Sequence, residues 1–300
     1  MSASHEHTEQ EETEGAPFEA VAVLGAGTMG LGIAQVAASS GFRVVLRDLG
    51  EDLLSRALGR IESNLSKSVA RGKMTEDERA RALSRIRTTT RMEETAGAQL
   101  FVEAVPERLD LKRETLRAVE AVSAGPFVFA TNTSSLSITE IAEGAREPGS
   151  VAGMHFFNPV HLMRLVEIVV GRETTQETVE AVAAVARRMG KEPIVVRDVP
   201  GFASSRLGVT LGLEAMRMVE EGVASAKDID TAMELGYNHP MGPLRLTDLV
   251  GLDVRLHIAE YLHERLGAER FRPPDILRRM VSEGKLGKKT GEGFYKWEAE

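Results

Sequence analysis

The sequence predicts a doubly wound α/β sheet with an added antiparallel part, followed by an all-α domain. Three observations carry that expectation. From residue 18 onward, short apolar runs alternate with amphipathic helical stretches; a glycine-rich turn directly follows the first run; and strand-like segments end near residue 199. At 300 residues and 42% hydrophobic content, the chain has material for two cores.

Taken in order, the strand candidates of the first half are 18–25, 43–48, 99–105 and 127–132. Each is a short apolar run, mostly β-branched or aromatic, closed by polar residues or glycine, as buried parallel strands are. Helical patterns lie between them at 28–40, 51–71, 75–85 and 110–123, and Thr75 with Glu78 forms a capping-box pattern. The helical pair at about 51–86 is longer than a simple crossover requires, so it reads as an insertion. Next, 150–157 and 164–170 are separated only by a turn containing Asn158-Pro159. So short a connection joins antiparallel strands. A helix at 175–189 and a strand at 192–197 close this half. Beyond Val199-Pro200-Gly201 only helices are expected, at 202–222, 225–235, 248–266 and 274–283, with a second capping box at Ser225 and Asp228. The predicted division is therefore 18–198 and 199–300.

The formal charge of −8 is unevenly spread. Glu6, Glu9, Glu11, Glu12 and Glu14 crowd into residues 1–17 without a single Lys or Arg. Setting those five aside leaves 40 acidic against 37 basic residues, an ordinary surface with no basic field for nucleic acid. The segment 1–17 reads as a disordered acidic tail, and His5 and His7 within it read as solvated, not metal-binding. No metal site is expected. Without cysteine there is no disulfide framework, thiolate zinc site or thiol nucleophile, which suits a reducing cytoplasm. No apolar run approaches a membrane span, and the N-terminus lacks the features of a secretory signal.

Gly25-Ala26-Gly27-Thr28-Met29-Gly30 follows the first strand and opens a helix. Gly25 permits the tight turn, Gly27 lets a pyrophosphate approach the backbone, and Gly30 lets the helix pack close to the sheet. Asp48 ends the second strand, where a carboxylate accepts from the adenosine ribose hydroxyls and repels a 2′-phosphate. This is a Rossmann-type site for NAD, with Arg47 beside Asp48 as the feature that would tolerate a phosphate.

His155 and Glu167 stand symmetrically about the turn centred on His161, so a hairpin brings them opposite each other. A carboxylate beside an imidazole fixes its tautomer and stabilises the imidazolium, as oxidation of an alcohol requires of its base. The same pair also serves elsewhere as a plain structural hydrogen bond, and spacing leaves both readings open. His161 is the rival base but has no symmetric acid. His239 reads as structural, His257 and His263 as helix-surface residues, and Tyr295 and Trp297 as packing for the C-terminal loop.

Several runs resemble the 3-hydroxyacyl-CoA and 3-hydroxybutyryl-CoA dehydrogenase family. They are Gly153-Met154-His155-Phe156-Phe157-Asn158-Pro159-Val160 with Leu165-Val166-Glu167, Glu103-Ala104-Val105-Pro106-Glu107, and Asn132-Thr133-Ser134-Ser135-Leu136. Asp198-Val199-Pro200-Gly201-Phe202, His239-Pro240-Met241-Gly242-Pro243 and 287–294 follow in the same order. The resemblance implies an NAD-dependent oxidoreductase acting on an acyl-CoA, with His155 as general base, Glu167 as its orienting partner, and Ser134 bonding the substrate oxygen near the cofactor. It further implies NAD contacts from Glu107, Lys112, Ser134 and Lys289, and substrate contacts from Asn158 and Ser205. Asn64, Lys67 and Arg71 on the inserted helices become candidates for CoA, although a solvated basic face reads equally well. The helical domain resembles the family's dimerisation domain and implies a homodimer. One position departs from the pattern: the family commonly carries Asn before Arg-Leu, and here Ser205 precedes Arg206-Leu207. Two other readings stand beside this one, a dehydrogenase of free hydroxy acids or sugar acids, and a non-catalytic dinucleotide-binding protein.

Overall fold

The computed structural model describes residues 18–298; the expected acidic tail, with His5 and His7, lies outside them. Contacts divide the chain into two units, one running to Asn132 and resuming over Ile141–Val195, the other made of Thr133–Glu140 with Val196–Glu300. The division expected at 198/199 gave Thr133–Glu140 to the first domain; the structure groups it with the second.

Along the chain come β1 (Ala20–Leu24), α1 (Thr28–Ser39), β2 (Arg43–Arg47), α2 (Glu51–Ala70), α3 (Glu76–Ser84), β3 (Ile86–Thr89), β4 (Leu100–Glu103), α4 (Leu109–Val122) and β5 (Val128–Thr131). Then follow α5 (Ile138–Ala142), β6 (Val151–Phe156), β7 (Leu165–Val170), α6 (Gln176–Arg188) and β8 (Glu192–Arg197). The strands form one sheet in the order β3-β2-β1-β4-β5-β6-β7-β8. Pairs from β3 through β6 are parallel, and β7 runs antiparallel to β6. Strand order reverses direction between β1 and β4, the crevice where ligands of such sheets bind beyond the strand carboxyl ends.

Helix α1 is buried continuously from Gly30 to Ala38, because the sheet covers one side and the α2–α3 arm the other. That is why its sequence shows little amphipathic contrast. Helix α2 buries Leu54, Ala57, Ile61 and Leu65, a 3–4 spacing that leaves the other face to charge. Helix α3 begins at the reciprocal Thr75–Glu78 capping box. Strand β3 and helix α5 were not expected. The first is an edge strand of mixed polarity, and the second is a five-residue helix, too short to show a period.

The second unit holds α7 (Ser204–Glu220), α8 (Ala226–Gly236), α9 (Pro243–Val250), α10 (Leu252–Leu266) and α11 (Asp275–Ser282) around Leu213, Met216, Leu244, Leu252, Leu262, Phe271 and Leu277. The single helix expected at 248–266 is corrected to two. Gly251 has φ of +104°, outside helical space, and breaks the run between α9 and α10. The C-terminal loop is held by buried Asp248, whose carboxylate accepts from Phe294 N, Tyr295 N and Trp297 Nε1 at 2.9, 2.9 and 2.8 Å. Among the described residues no helix is long and apolar enough to cross a membrane.

Candidate active site

Strand β1 feeds a turn that only glycine can make. Gly25 has φ of +106°, and a Cβ there would stand 2.6 Å from the Ala104 carbonyl oxygen. A Cβ on Gly30 would lie 1.7 Å from the Gly25 oxygen, and one on Gly32 would lie 2.8 Å from Val160 Cγ2. Gly27 is different: a Cβ there would meet nothing within 4 Å. It caps α1, whose first turn carries no acidic residue, so its free N–H groups and positive dipole end face outward. At this helix start Ala26 is buried, Met29 half-buried and Thr28 exposed. Asp48, one residue past β2, accepts from Ala26 N and Leu49 N, each at 2.6 Å. One carboxylate thus pins the glycine turn and leaves lone pairs for ribose hydroxyls. An open Gly27, an anion-ready helix end and an acid at the end of β2 fit an NAD-type dinucleotide.

The carboxyl end of β4 buries charge. Glu103 is fully enclosed and Lys112, on α4, is 1% exposed. The Glu103 carboxylate accepts from Lys112 Nζ and Val105 N at 2.8 Å and from Thr131 Oγ1 at 2.7 Å. Lys112 Nζ also reaches the Val105 carbonyl at 3.5 Å and Glu107 Oε2 at 3.3 Å. Burial raises the Glu103 carboxyl above its ordinary range, against the pull of Lys112, Thr131 and Val105. Lys112, expected to touch NAD, has its three ammonium protons matched by these three acceptors. Its line to a ligand runs through the exposed Glu107.

Strands β6 and β7 bring the other pair together. In their antiparallel register His155 lies opposite Glu167, and His155 Nδ1 is 2.7 Å from Glu167 Oε2. Glu167 is fully buried and His155 is 7% exposed, with the Phe157 ring beside it at 4.6 Å between centroids and tilted by 47°. An ionised carboxylate only accepts, so Nδ1 carries the hydrogen, and in the neutral ring Nε2 is then the basic nitrogen. Asn132 fixes the end of β6 by accepting from Phe156 N at 2.8 Å, a positioning role that residue-by-residue reading did not single out. The turn beyond carries exposed Asn158 and His161. It is tied down by buried Lys191, which donates to the carbonyls of Val160 and Met163. Burial and the Lys191 charge hold His161 below the usual imidazole range. No acid pairs with it in the hairpin register, which ends at His155–Glu167 and Phe156–Val166.

The remaining candidates separate. Asn64 donates to Gln35 on α1 at 3.1 Å, so its amide serves packing of the arm, whereas Lys67 on α2 and Arg71 at its C-cap are exposed. Ser134 is exposed in a turn of the second unit, three residues past β5, where Thr133 Oγ1 accepts from Ser135 N and Leu136 N. Ser205 sits in the first turn of α7, half-buried, and the cap of that helix is Ala203. Lys289 Nζ contacts both oxygens of Asp253, at 2.5 and 2.6 Å, an ion pair invisible to local pattern.

Comparison with known proteins agrees with this geometry. The family model described as 3-hydroxyacyl-CoA dehydrogenase, NAD binding domain, matches residues 20–199, and that of the C-terminal domain matches 201–297. A probable 3-hydroxybutyryl-CoA dehydrogenase of Deinococcus radiodurans is 46% identical, covering 92% of this chain and 99% of its own. The mitochondrial hydroxyacyl-coenzyme A dehydrogenase of Sus scrofa is 44% identical over 92% of this chain and 90% of its own. The solved (S)-3-hydroxybutyryl-CoA dehydrogenase of Ralstonia eutropha superposes with a TM-score of 0.91 at 38% identity, covering 94% of this chain and all of that one.

Proposed function

The chain belongs to the 3-hydroxyacyl-CoA dehydrogenase family, and from that footing we propose that it interconverts (3S)-3-hydroxyacyl-CoA and 3-ketoacyl-CoA with NAD, with 3-hydroxybutyryl-CoA as its typical substrate. The observation that carries the mechanism is the 2.7 Å contact between His155 Nδ1 and Glu167 Oε2. Its imidazole presents Nε2 as the base for the C3 hydroxyl proton, and Glu167 stabilises the imidazolium that results. NAD, when bound, takes up the hydride or returns it. In the reverse direction the imidazolium gives its proton to the ketone oxygen.

The other residues orient. Gly25, Gly27 and Gly30 with the start of α1 hold the pyrophosphate, Asp48 the adenosine ribose, and Glu107, backed by Lys112, the other half of the dinucleotide. Ser134 and Asn158 are proposed to bond the substrate, and Ser205 to donate to a carbonyl where the family commonly has Asn. Lys67 and Arg71 are proposed to meet the phosphates of CoA. Apolar side chains left exposed on α9 and α10, Leu246, Leu249, Val250 and Val254, support a homodimer. Absence of cysteine supports a cytoplasmic setting.

NADH oxidation with acetoacetyl-CoA tests the reading. Turnover of the thioester, little or none of free acetoacetate, and loss of about 10²–10⁴ in kcat in His155→Ala are expected. A variant keeping half its activity would remove His155 from the mechanism.

A further inference from the structure

Three charged groups meet at the end of β4, and two of them are buried where an unmatched charge is costly. Glu103 is fully enclosed, Lys112 is 1% exposed, and only Glu107, 37% exposed, faces outward. Three donors, Val105 N, Lys112 Nζ and Thr131 Oγ1, converge on the two Glu103 oxygens, and an ionised carboxylate is the form that receives them all. Both carboxylates contact the one ammonium, and these three groups together sum to one negative charge.

The first unit by itself fixes which part of the cofactor meets this charge. Asp48 at the end of β2 marks the adenosine ribose, and the glycine turn after β1 marks the pyrophosphate. The other half of the dinucleotide must then extend over the ends of β4 and β5, where Glu103 and Thr131 stand. The glycine turn itself packs on this segment, since a Gly25 Cβ would touch the Ala104 carbonyl. The nicotinamide ring is positive in NAD+ and neutral in NADH.

We infer that the Glu103–Lys112–Glu107 cluster discriminates between the two redox forms of the cofactor, favouring NAD+, and that buried Glu103 is the positioning residue that sets its charge. This rests on the cofactor placement proposed above. A purely structural Glu103 would hold the 104–107 segment and affect both forms alike. An electrostatic one changes their ratio.

The full-length protein is titrated with NAD+ and with NADH by calorimetry, and the ratio of the two dissociation constants is read. Glu103→Gln takes the three groups from −1 to 0 and should raise Kd(NAD+)/Kd(NADH) by at least about threefold, the effect of one charge acting through the protein interior. Adding Lys112→Met restores −1 and removes the buried pair together, so the double variant should return towards the wild-type ratio. Should Glu103→Gln not fold, Glu107→Gln makes the same change of charge at an exposed residue and should move the ratio the same way. Equal weakening of both cofactors in the single variants, or a double variant shifted further, overturns the inference while leaving the cofactor site intact. A wild-type protein that binds neither dinucleotide overturns the placement itself.

Discussion

Glu167→Gln isolates what the buried carboxylate contributes. Glutamine keeps the shape, and its Oε1 still accepts from the Nδ1 hydrogen of His155, so ring orientation and tautomer survive and only the charge is lost. That charge lies 2.7 Å from the ring in a fully buried position, beyond screening by salt. A hydrogen bond to a charged group contributes about 1.5–3 kcal/mol against about 0.5–1.5 kcal/mol for a neutral one, so about 1–1.5 kcal/mol is lost, and each 1.36 kcal/mol is a factor of ten in rate. The loss expected in kcat is therefore about five- to thirteenfold. It should fall on kcat and kcat/KM alike, because the imidazolium exists only as the proton is taken. Steady-state reduction of NAD by (3S)-3-hydroxybutyryl-CoA gives both constants, and near-ultraviolet circular dichroism checks the fold. A folded variant within twofold of wild-type kcat would refute the assignment of Glu167 as stabiliser of the charged base.

Four further outcomes are expected. Asp48→Ala should weaken NAD and narrow its advantage over NADP, since the acid at the ribose and its bond to Ala26 N vanish together; fluorescence titration of each cofactor decides, and wild-type protein using NADP equally well contradicts it. Gly30→Ala should abolish dinucleotide binding, because the methyl would fall 1.7 Å from the Gly25 oxygen; retained affinity would show that the turn can move. Ser205→Ala should cost no more than about tenfold in kcat/KM, the worth of one neutral donor. A lower melting temperature with unchanged kinetics would assign Ser205 to packing instead. Light scattering at micromolar concentration should give a dimer, and a monomer there would leave the exposed apolar residues of α9 and α10 unexplained.

Much of the site is legible in sequence because it follows periods. The turn after β1 is spelled by glycine, Asp48 by its place at the end of an apolar run, and the His155–Glu167 register by symmetry about a hairpin turn. What escaped reading depends on burial and on distant partners. Glu103 and Lys112 are charged residues that local pattern assigns to the surface, and only the fold shows them enclosed. Asn64 meets Gln35 and Lys289 meets Asp253 across 29 and 36 residues, which no window detects. The α9–α10 break turns on one backbone angle at Gly251.

The contact between Gly32 and Val160 has a consequence for how such a chain can change. Helix α1 touches the turn beyond β6 with no room for a methyl group: a Cβ on Gly32 would stand 2.8 Å from Val160 Cγ2 and 2.9 Å from its Cβ. These positions are separated by more than a hundred residues, yet neither can drift alone. Enlarging residue 32 demands a smaller residue at 160, so that sequences descended from this one should exchange volume across the pair. Anyone recombining cofactor and catalytic segments from different relatives should carry both positions from the same parent.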